Sequence, residues 1–256
     1  MHPILFDFFG IPLYTYGLFV ALGFMTAVFV SRKLAAPRGI KEQTITDIYF
    51  IILLSAIVGA RGLYILVNFD SYKNNLFDIF KIWSGGLVFF GGFILAVVAT
   101  LVYLNYRKLN VWLTADVIVP GIALGHSLGR VGCLFAGCCY GKTCDLPIAI
   151  NFTHPQSLAP LHTALHPTQI YMVLSNLILF FILLGVTKNK KFHGQVFIVY
   201  IMLYSLFRFI IEFFRGDFRG DFFLVSISLS QGIGITVSVV ACILLIKLSK
   251  SANGNR

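Results

Sequence analysis

Three arginines, Arg61, Arg130 and Arg208, lie inside or at the ends of apolar runs long enough to cross a membrane. A charge at the centre of a bilayer costs about 2.5–3.5 kcal/mol on insertion scales. Such residues therefore face a bundle interior, where they pair with an acid or hold something anionic. Of the three, only Arg208 has an acid one turn away on its own helix, Glu212. An anionic group within the membrane, such as a phospholipid headgroup, suits the others. A structural role competes: each guanidinium can cap backbone carbonyls or snorkel to the interface.

Other residues of chemical character accompany them. In YSLFRFIIEFFRGD, Tyr204, Arg208, Glu212 and Arg215 fall on one helical stripe. Glu212 can neutralise Arg208 or Arg215 and leave one guanidinium free. A guanidinium fork binds phosphate bidentately. A closed Arg–Glu–Arg cluster that only locks helices is the alternative. In GHSLGRVGCLFAGCCYG, His126 lies one turn before Arg130, so imidazole and guanidinium share a face. The glycines of SGGLVFFGGF either let helices pack closely or expose backbone N–H groups to an anion.

Composition sets the elements that must position these groups. Hydrophobic residues make up 58% of 256, charged residues 12%, and mean hydropathy is +0.86. A soluble domain carries about 25% charge, so an all-α integral membrane protein is expected, as one domain over residues 1–256. No basic stretch precedes the first apolar run, so a cleavable signal is not expected. The net charge of +10 does not point to nucleic acid, because the basic residues sit in loops.

Seven spans are expected, about Ile11–Val30, Ile45–Val67, Leu87–Leu104, Ala115–Phe135, Gln169–Val186, Gly194–Phe214 and Phe222–Ile246. Basic residues follow alternate spans: Arg32, Lys33, Arg38 and Lys41, then Arg107 and Lys108, then Lys188, Lys190 and Lys191, then Lys247, Lys250 and Arg256. The intervening loops are near neutral, with Lys73 and Lys81 offset by Asp70 and Asp78, and Lys142 by Asp145. The positive-inside rule then predicts an outside N-terminus and a cytoplasmic C-terminus. With that topology Tyr16, Arg61, Arg130, Arg208 and Arg215 lie toward the outer side, as do Gly85, Gly86, Gly91, Gly92 and the stretch His166–Gln169. One functional site open to the outer leaflet is expected.

These segments carry a resemblance. YGLFVALGF at Tyr16–Phe24, GARGLYILVN at Gly59–Asn68, SGGLVFFGGF, LGRVGCLFAGCCYG, HPTQIY at His166–Tyr171 and YSLFRFIIEFFR at Tyr204–Arg215 resemble, in order, motifs of the prolipoprotein diacylglyceryl transferases. The resemblance implies transfer of a diacylglyceryl group from phosphatidylglycerol to the lipobox cysteine thiol of prolipoproteins. It places the protein as a multi-pass enzyme of the bacterial cytoplasmic membrane, with no metal, no cofactor and no nucleic acid; a monomer is expected. The leaving group is a phosphate ester, so fixed guanidiniums supply charge where it develops. The expected catalytic residues are Arg130, Arg208, His126 and Tyr16. The expected substrate-binding residues are Arg61, Gly85, Gly86, His166, Gln169, Tyr204, Glu212 and Arg215.

The chain departs from the family pattern at several positions. Phe90 stands where the family's glycine loop has histidine, and Met172 where it has glutamate after HPTQIY. Cys133, Ala136 and Cys138 replace two asparagines and a glutamate of the signature. With Phe90 unable to take a proton, His126 is the expected base for the thiol, unless the arginine field alone suffices. Cys133, Cys138, Cys139 and Cys144 cluster outside, open to three readings: a disulfide, small packing residues, or zinc and catalytic thiol chemistry. The C-x4-CC-x4-C spacing does not match the usual C-x2-C of zinc ligands. Two other functions compete with transfer: a noncatalytic phospholipid-binding or accessory homologue, and a membrane thiol oxidoreductase.

Overall fold

The computed structural model describes residues 2–8, 11–73, 76–80, 85–217 and 229–254. Lys81, Ser84, Arg256 and the Phe222 start expected for the last span lie outside them. Seven α-helices dominate the described residues: α1 (Thr15–Ala35), α2 (Glu42–Val67), α3 (Phe89–Tyr106), α4 (Val111–Ala136), α5 (Thr168–Asn189), α6 (Gln195–Glu212) and α7 (Leu229–Gly254). Among the described residues, α1 to α6 are long and apolar enough to cross a membrane. They turn large apolar side chains outward, among them Phe29, Phe50, Phe93 and Phe181. Lipid, not water, suits such a surface.

The chain forms two compact units, Arg32–Thr114 and the union of Met1–Ser31 with Ala115–Arg256. The smaller unit is built on α2 and α3. Their backbones approach closely because Gly59 and Gly91 face each other: a Cβ on either would run into the other's carbonyl oxygen. The N–H groups of Gly91 and Gly92 bond back to Val88 O at 3.2 and 3.4 Å. This pair of glycines is therefore a packing surface, the first of the two roles expected for SGGLVFFGGF.

The larger unit opens with an antiparallel hairpin, β1 (Ile4–Phe8) and β2 (Ile11–Tyr14). The first helix thus begins four residues later than expected at Ile11. In the Ile11–Tyr14 segment Pro12 biases Ile11 toward extended backbone, and ILFDF supplies a strand for it to pair with. Thr15 closes the junction through its N–H to Pro3 O and its hydroxyl to His2 O. The core packs Val119 and Ala123 of α4 with Leu179 and Leu183 of α5 and Val196 and Val199 of α6.

At the far end of these helices sits Asp116, 1% exposed. Its Oδ2 accepts from Lys190 Nζ at 2.9 Å and from Gly194 N at 2.8 Å, and its Oδ1 from Phe197 N at 3.0 Å. One carboxylate thus satisfies orphan N–H groups at the start of α6 and ties α4 to the α5–α6 loop. It is the one acid within the fourth expected span, a signal that the arginine-led reading leaves unused.

Candidate active site

In the larger unit, α4 ends at Ala136 and a tight reversal follows. Gly137 adopts φ +75°, and a Cβ there would collide with Ser157 Oγ. Cys139 also lies in the left-handed region, at φ +61°, which a non-glycine residue adopts uncommonly. This double turn brings Cys138 and Cys139 back over the helix end toward Cys133. The three thiol sulfurs lie within 4.8 Å of one another. All five cysteines are thiols, so no disulfide links Cys133, Cys138, Cys139 or Cys144.

From α5, Thr168 Oγ1 donates to Cys139 O at 2.7 Å and Gln169 Nε2 to Cys138 O at 2.8 Å. Both side chains are 1% exposed. Gln169 Oε1 is buried with no hydrogen-bond partner among the described residues. Burying an unsatisfied acceptor is costly, so this oxygen is available to a donor on a ligand.

Above the thiols sit the arginines. Arg130 Nε donates to His126 Nε2 at 3.2 Å, and its Nη1 lies 3.6 Å from Cys139 Sγ. The His126 ring packs 5.5 Å from Tyr204. One turn beyond Tyr204 on α6, Arg208 pairs with Glu212. Glu212 also lies 3.7 Å from Arg215, whose guanidinium grips Asp217 through Nε and Nη2. Arg215 is within electrostatic range of both Arg130 and Arg208. Asp217 is not among the expected site residues; it follows RG just past the helical stripe, where periodicity gives no signal.

The charge balance favours a thiolate. Hydrogen bonds with Cys133 and Cys138, and then Arg215, hold the Cys139 thiol below its ordinary pKa against the upward push of burial. Cys138 moves the other way, because its proton is shared with the thiols of Cys133 and Cys139. Tyr16, on the first turn of α1, is within electrostatic range of Cys133, Cys138 and Arg130. Its backbone lies against Gly132 of α4.

His166 sits where α5 begins. Its backbone N–H bonds to Lys142 O and its carbonyl accepts from Gly141 N. Its Nδ1 meets Tyr171 OH at 3.1 Å and its ring abuts Phe214 at 5.2 Å. The Lys142 N–H in turn bonds to Phe214 O, and Gly141 bridges to Arg215. The larger unit therefore brings Tyr16, His126, Arg130, His166, Gln169, Tyr204, Arg208, Glu212 and Arg215 into one connected cluster.

The remaining expected residues belong to the smaller unit. Arg61 is 6% exposed. Its Nε donates to Ile79 O at 2.9 Å, Nη2 to Asp78 O at 2.7 Å, and Nη1 to the carbonyls of Gly85 and Gly86 at 2.8 and 3.3 Å. Tyr64 and Tyr72 flank it at 5.7 and 5.6 Å from their ring centres. Arg61 takes the carbonyl-capping role, and Gly85 and Gly86 present acceptors to it.

Comparison with known proteins agrees with the motifs. The family model described as prolipoprotein diacylglyceryl transferase matches residues 3–247. A phosphatidylglycerol–prolipoprotein diacylglyceryl transferase of Clostridium tetani is 37% identical over 228 residues, covering 89% of this chain and 91% of the relative. The enzyme of the same name from Finegoldia magna is 36% identical, with 98% and 97% covered. That of Clostridioides difficile is 31% identical, with 100% and 98% covered. This chain belongs to the prolipoprotein diacylglyceryl transferase family.

Proposed function

We propose that this protein transfers the diacylglyceryl group of phosphatidylglycerol to the lipobox cysteine thiol of prolipoproteins, at the outer leaflet of the bacterial cytoplasmic membrane. Seven spanning helices, an outside N-terminus and a cytoplasmic C-terminus go with this proposal, since they put the α4 end and the 137–167 segment on the outer side. The observation that carries it is the convergence of Arg130, Arg208 and Arg215 in one unit. Among the described residues, only two acids, Glu212 and Asp217, pair with them.

The acceptor thiol gives its proton to water, its sulfur attacks a terminal glycerol carbon of the diacylglyceryl group, the C–O bond to phosphate breaks, and glycerol phosphate leaves with the electron pair. Negative charge grows on the phosphate oxygens. Arg130 and Arg208 serve as fixed donors to them, with no reorganisation needed at the moment of transfer. Arg215 and Glu212 hold the cluster in register. His126 accepts from Arg130 and aims its fork. The orphan Oε1 of Gln169 accepts from a headgroup hydroxyl, and Tyr16, Tyr204 and His166 border the same space. Within the smaller unit, Arg61 holds the Gly85–Gly86 segment through their carbonyls.

The test is incorporation of labelled diacylglyceryl from phosphatidylglycerol vesicles into a lipobox peptide by the purified protein. Wild type transfers and a peptide with serine for cysteine stays unlabelled. No incorporation by wild type with a competent control enzyme in parallel overturns the proposal.

A further inference from the structure

The three thiols of Cys133, Cys138 and Cys139 form a constellation that phosphate binding does not use. Their sulfurs lie within 4.8 Å of one another. A zinc ion with Zn–S bonds of about 2.3 Å holds sulfurs roughly 3.8 Å apart in a tetrahedral set, so a closure of about 1 Å or less suffices. Sequence spacing argues against zinc only if the ligands sit on a knuckle. Here a helix end and two left-handed residues, Gly137 and Cys139, bring the thiols together instead. The backbone is fixed in that shape by Thr168 and Gln169 on the carbonyls of Cys139 and Cys138. A left-handed cysteine costs energy, and such outliers cluster at functional sites.

Electrostatics fit as well. Three thiolates around a divalent cation leave one net negative charge. Arg130 at 3.6 Å from Cys139 Sγ stands ready to balance it. Among the described residues no fourth His, Cys, Asp or Glu joins the group. A three-ligand site with an open position is the pattern of catalytic, not structural, zinc.

We propose that Cys133, Cys138 and Cys139 bind a soft d10 divalent cation of the zinc class, whose open position takes the acceptor thiol as a thiolate. This rests on the transferase function above and assigns the activation of its nucleophile. Each ligand cysteine that carries a proton gives it to water as the cation binds, and the acceptor thiol gives up one more. The bound sulfur's lone pair forms the S–C bond while the C–O bond breaks toward phosphate. The product thioether is neutral and a weaker ligand than a thiolate, which frees the position for the next acceptor. The chemistry suits a chain in which Phe90 cannot act as a base.

The experiment uses the full chain in nanodiscs, reduced and stripped of metal, titrated with Co2+ as spectroscopic probe. One Co2+ per chain with a thiolate charge-transfer band, displaced by Zn2+, is expected. The band should grow by about a third on adding a lipobox peptide, as thiolate ligands rise from three to four, and not with the serine peptide. Cys144→Ser and Cys242→Ser keep the band; Cys133→Ser and Cys139→Ser each lose it. No thiolate band in reduced wild type, or a band indifferent to the peptide thiol, overturns the site. Both of those outcomes are read on wild type alone, so misfolding of a variant does not blur them. Failure of the transferase function reads differently: neither metal-loaded nor metal-free protein lipidates the peptide, whatever the cobalt spectrum does.

Discussion

Arg130 and His126 are joined on α4 by a hydrogen bond of 3.2 Å in which the guanidinium Nε donates and the imidazole Nε2 accepts. A nitrogen that accepts from a guanidinium is not free to take a proton from a thiol. We read His126 as a positioning residue for Arg130, with thiol activation placed elsewhere. Arg130→Ala should abolish transfer. His126→Ala should cost less than the 10²–10⁴-fold that loss of a general base brings, with a pH–rate profile of wild-type shape between pH 6 and 8. His126→Gln, which restores an acceptor, should recover part of the rate. A profile that loses a limb in His126→Ala would instead assign the base to His126.

Arg208 pairs with Glu212, and Glu212 also faces Arg215. Glu212→Gln leaves the two arginines of α6 and its exit without their shared acid. Arg208 then competes for phosphate in a less fixed geometry. Breaking a buried pair from one side costs on the order of 3–5 kcal/mol, so the thermal midpoint in detergent should fall together with transfer. Arg208→Lys should keep the ion pair and the midpoint but lose most of the transfer rate, because an ammonium lacks the planar fork. Equal transfer by Arg208→Lys and wild type would remove Arg208 from phosphate binding.

Asp116 offers a stability test remote from the chemistry. Asp116→Ala strands Lys190, whose side chain is 15% exposed, and frees the N–H groups of Gly194 and Phe197. The expected loss is on the order of 3–5 kcal/mol, read as a lower thermal midpoint. Transfer per folded molecule should stay at the wild-type level. An unchanged midpoint would mean that water replaces the carboxylate at no cost.

Arginines in apolar runs and the motif order make the class, the helices and most of the cluster legible in the sequence. Period and charge do not encode what the chain does between helices. The β2 strand reads as helix because an apolar run of this length looks alike in both. The convergence of Cys133 with Cys138 and Cys139 depends on two left-handed residues, one of them not glycine, which no spacing rule anticipates. Arg61 is legible as intramembrane charge, but its acceptors are carbonyls, and carbonyls leave no mark in a sequence. Asp116 is as visible as any arginine, yet its partners are mostly backbone N–H groups on another helix, which spacing along its own helix cannot reveal.

Cys139 should show itself by reactivity. Its neighbours Cys133 and Cys138, and then Arg215, hold its pKa below that of an ordinary thiol. In metal-free protein, iodoacetamide should label Cys139 ahead of Cys138 and Cys144, at a rate that falls little between pH 8 and pH 6. An ordinary thiol, with pKa near 8.5, slows roughly tenfold per unit in that range. The linkage runs the same way. A folded pKa below the unfolded one gives stability that is complete above about pH 8.5 and declines as pH falls toward the folded value. Cys139→Ser should therefore lower the midpoint more at pH 9 than at pH 5. Peptide mapping that finds Cys139 labelled no faster than Cys144 at pH 6 would contradict the thiolate.

Arg61 separates two roles that an intramembrane arginine can play. Its guanidinium donates to the carbonyls of Asp78, Ile79, Gly85 and Gly86, which fixes the chain that leads into α3. An ammonium has three donors on a flexible stem and cannot reach four carbonyls spread around a planar fork. Arg61→Lys should leave α2 and α3 helical, since their contact rests on Gly59 and Gly91. It should expose residues 76–80 and 85–88 to limited proteolysis, with wild type resistant there under the same digestion. Transfer should fall through that loosening, so that kcat drops while KM for phosphatidylglycerol changes little. If Arg61 instead holds the headgroup, the pattern inverts: KM rises, and the digestion pattern of Arg61→Lys matches wild type.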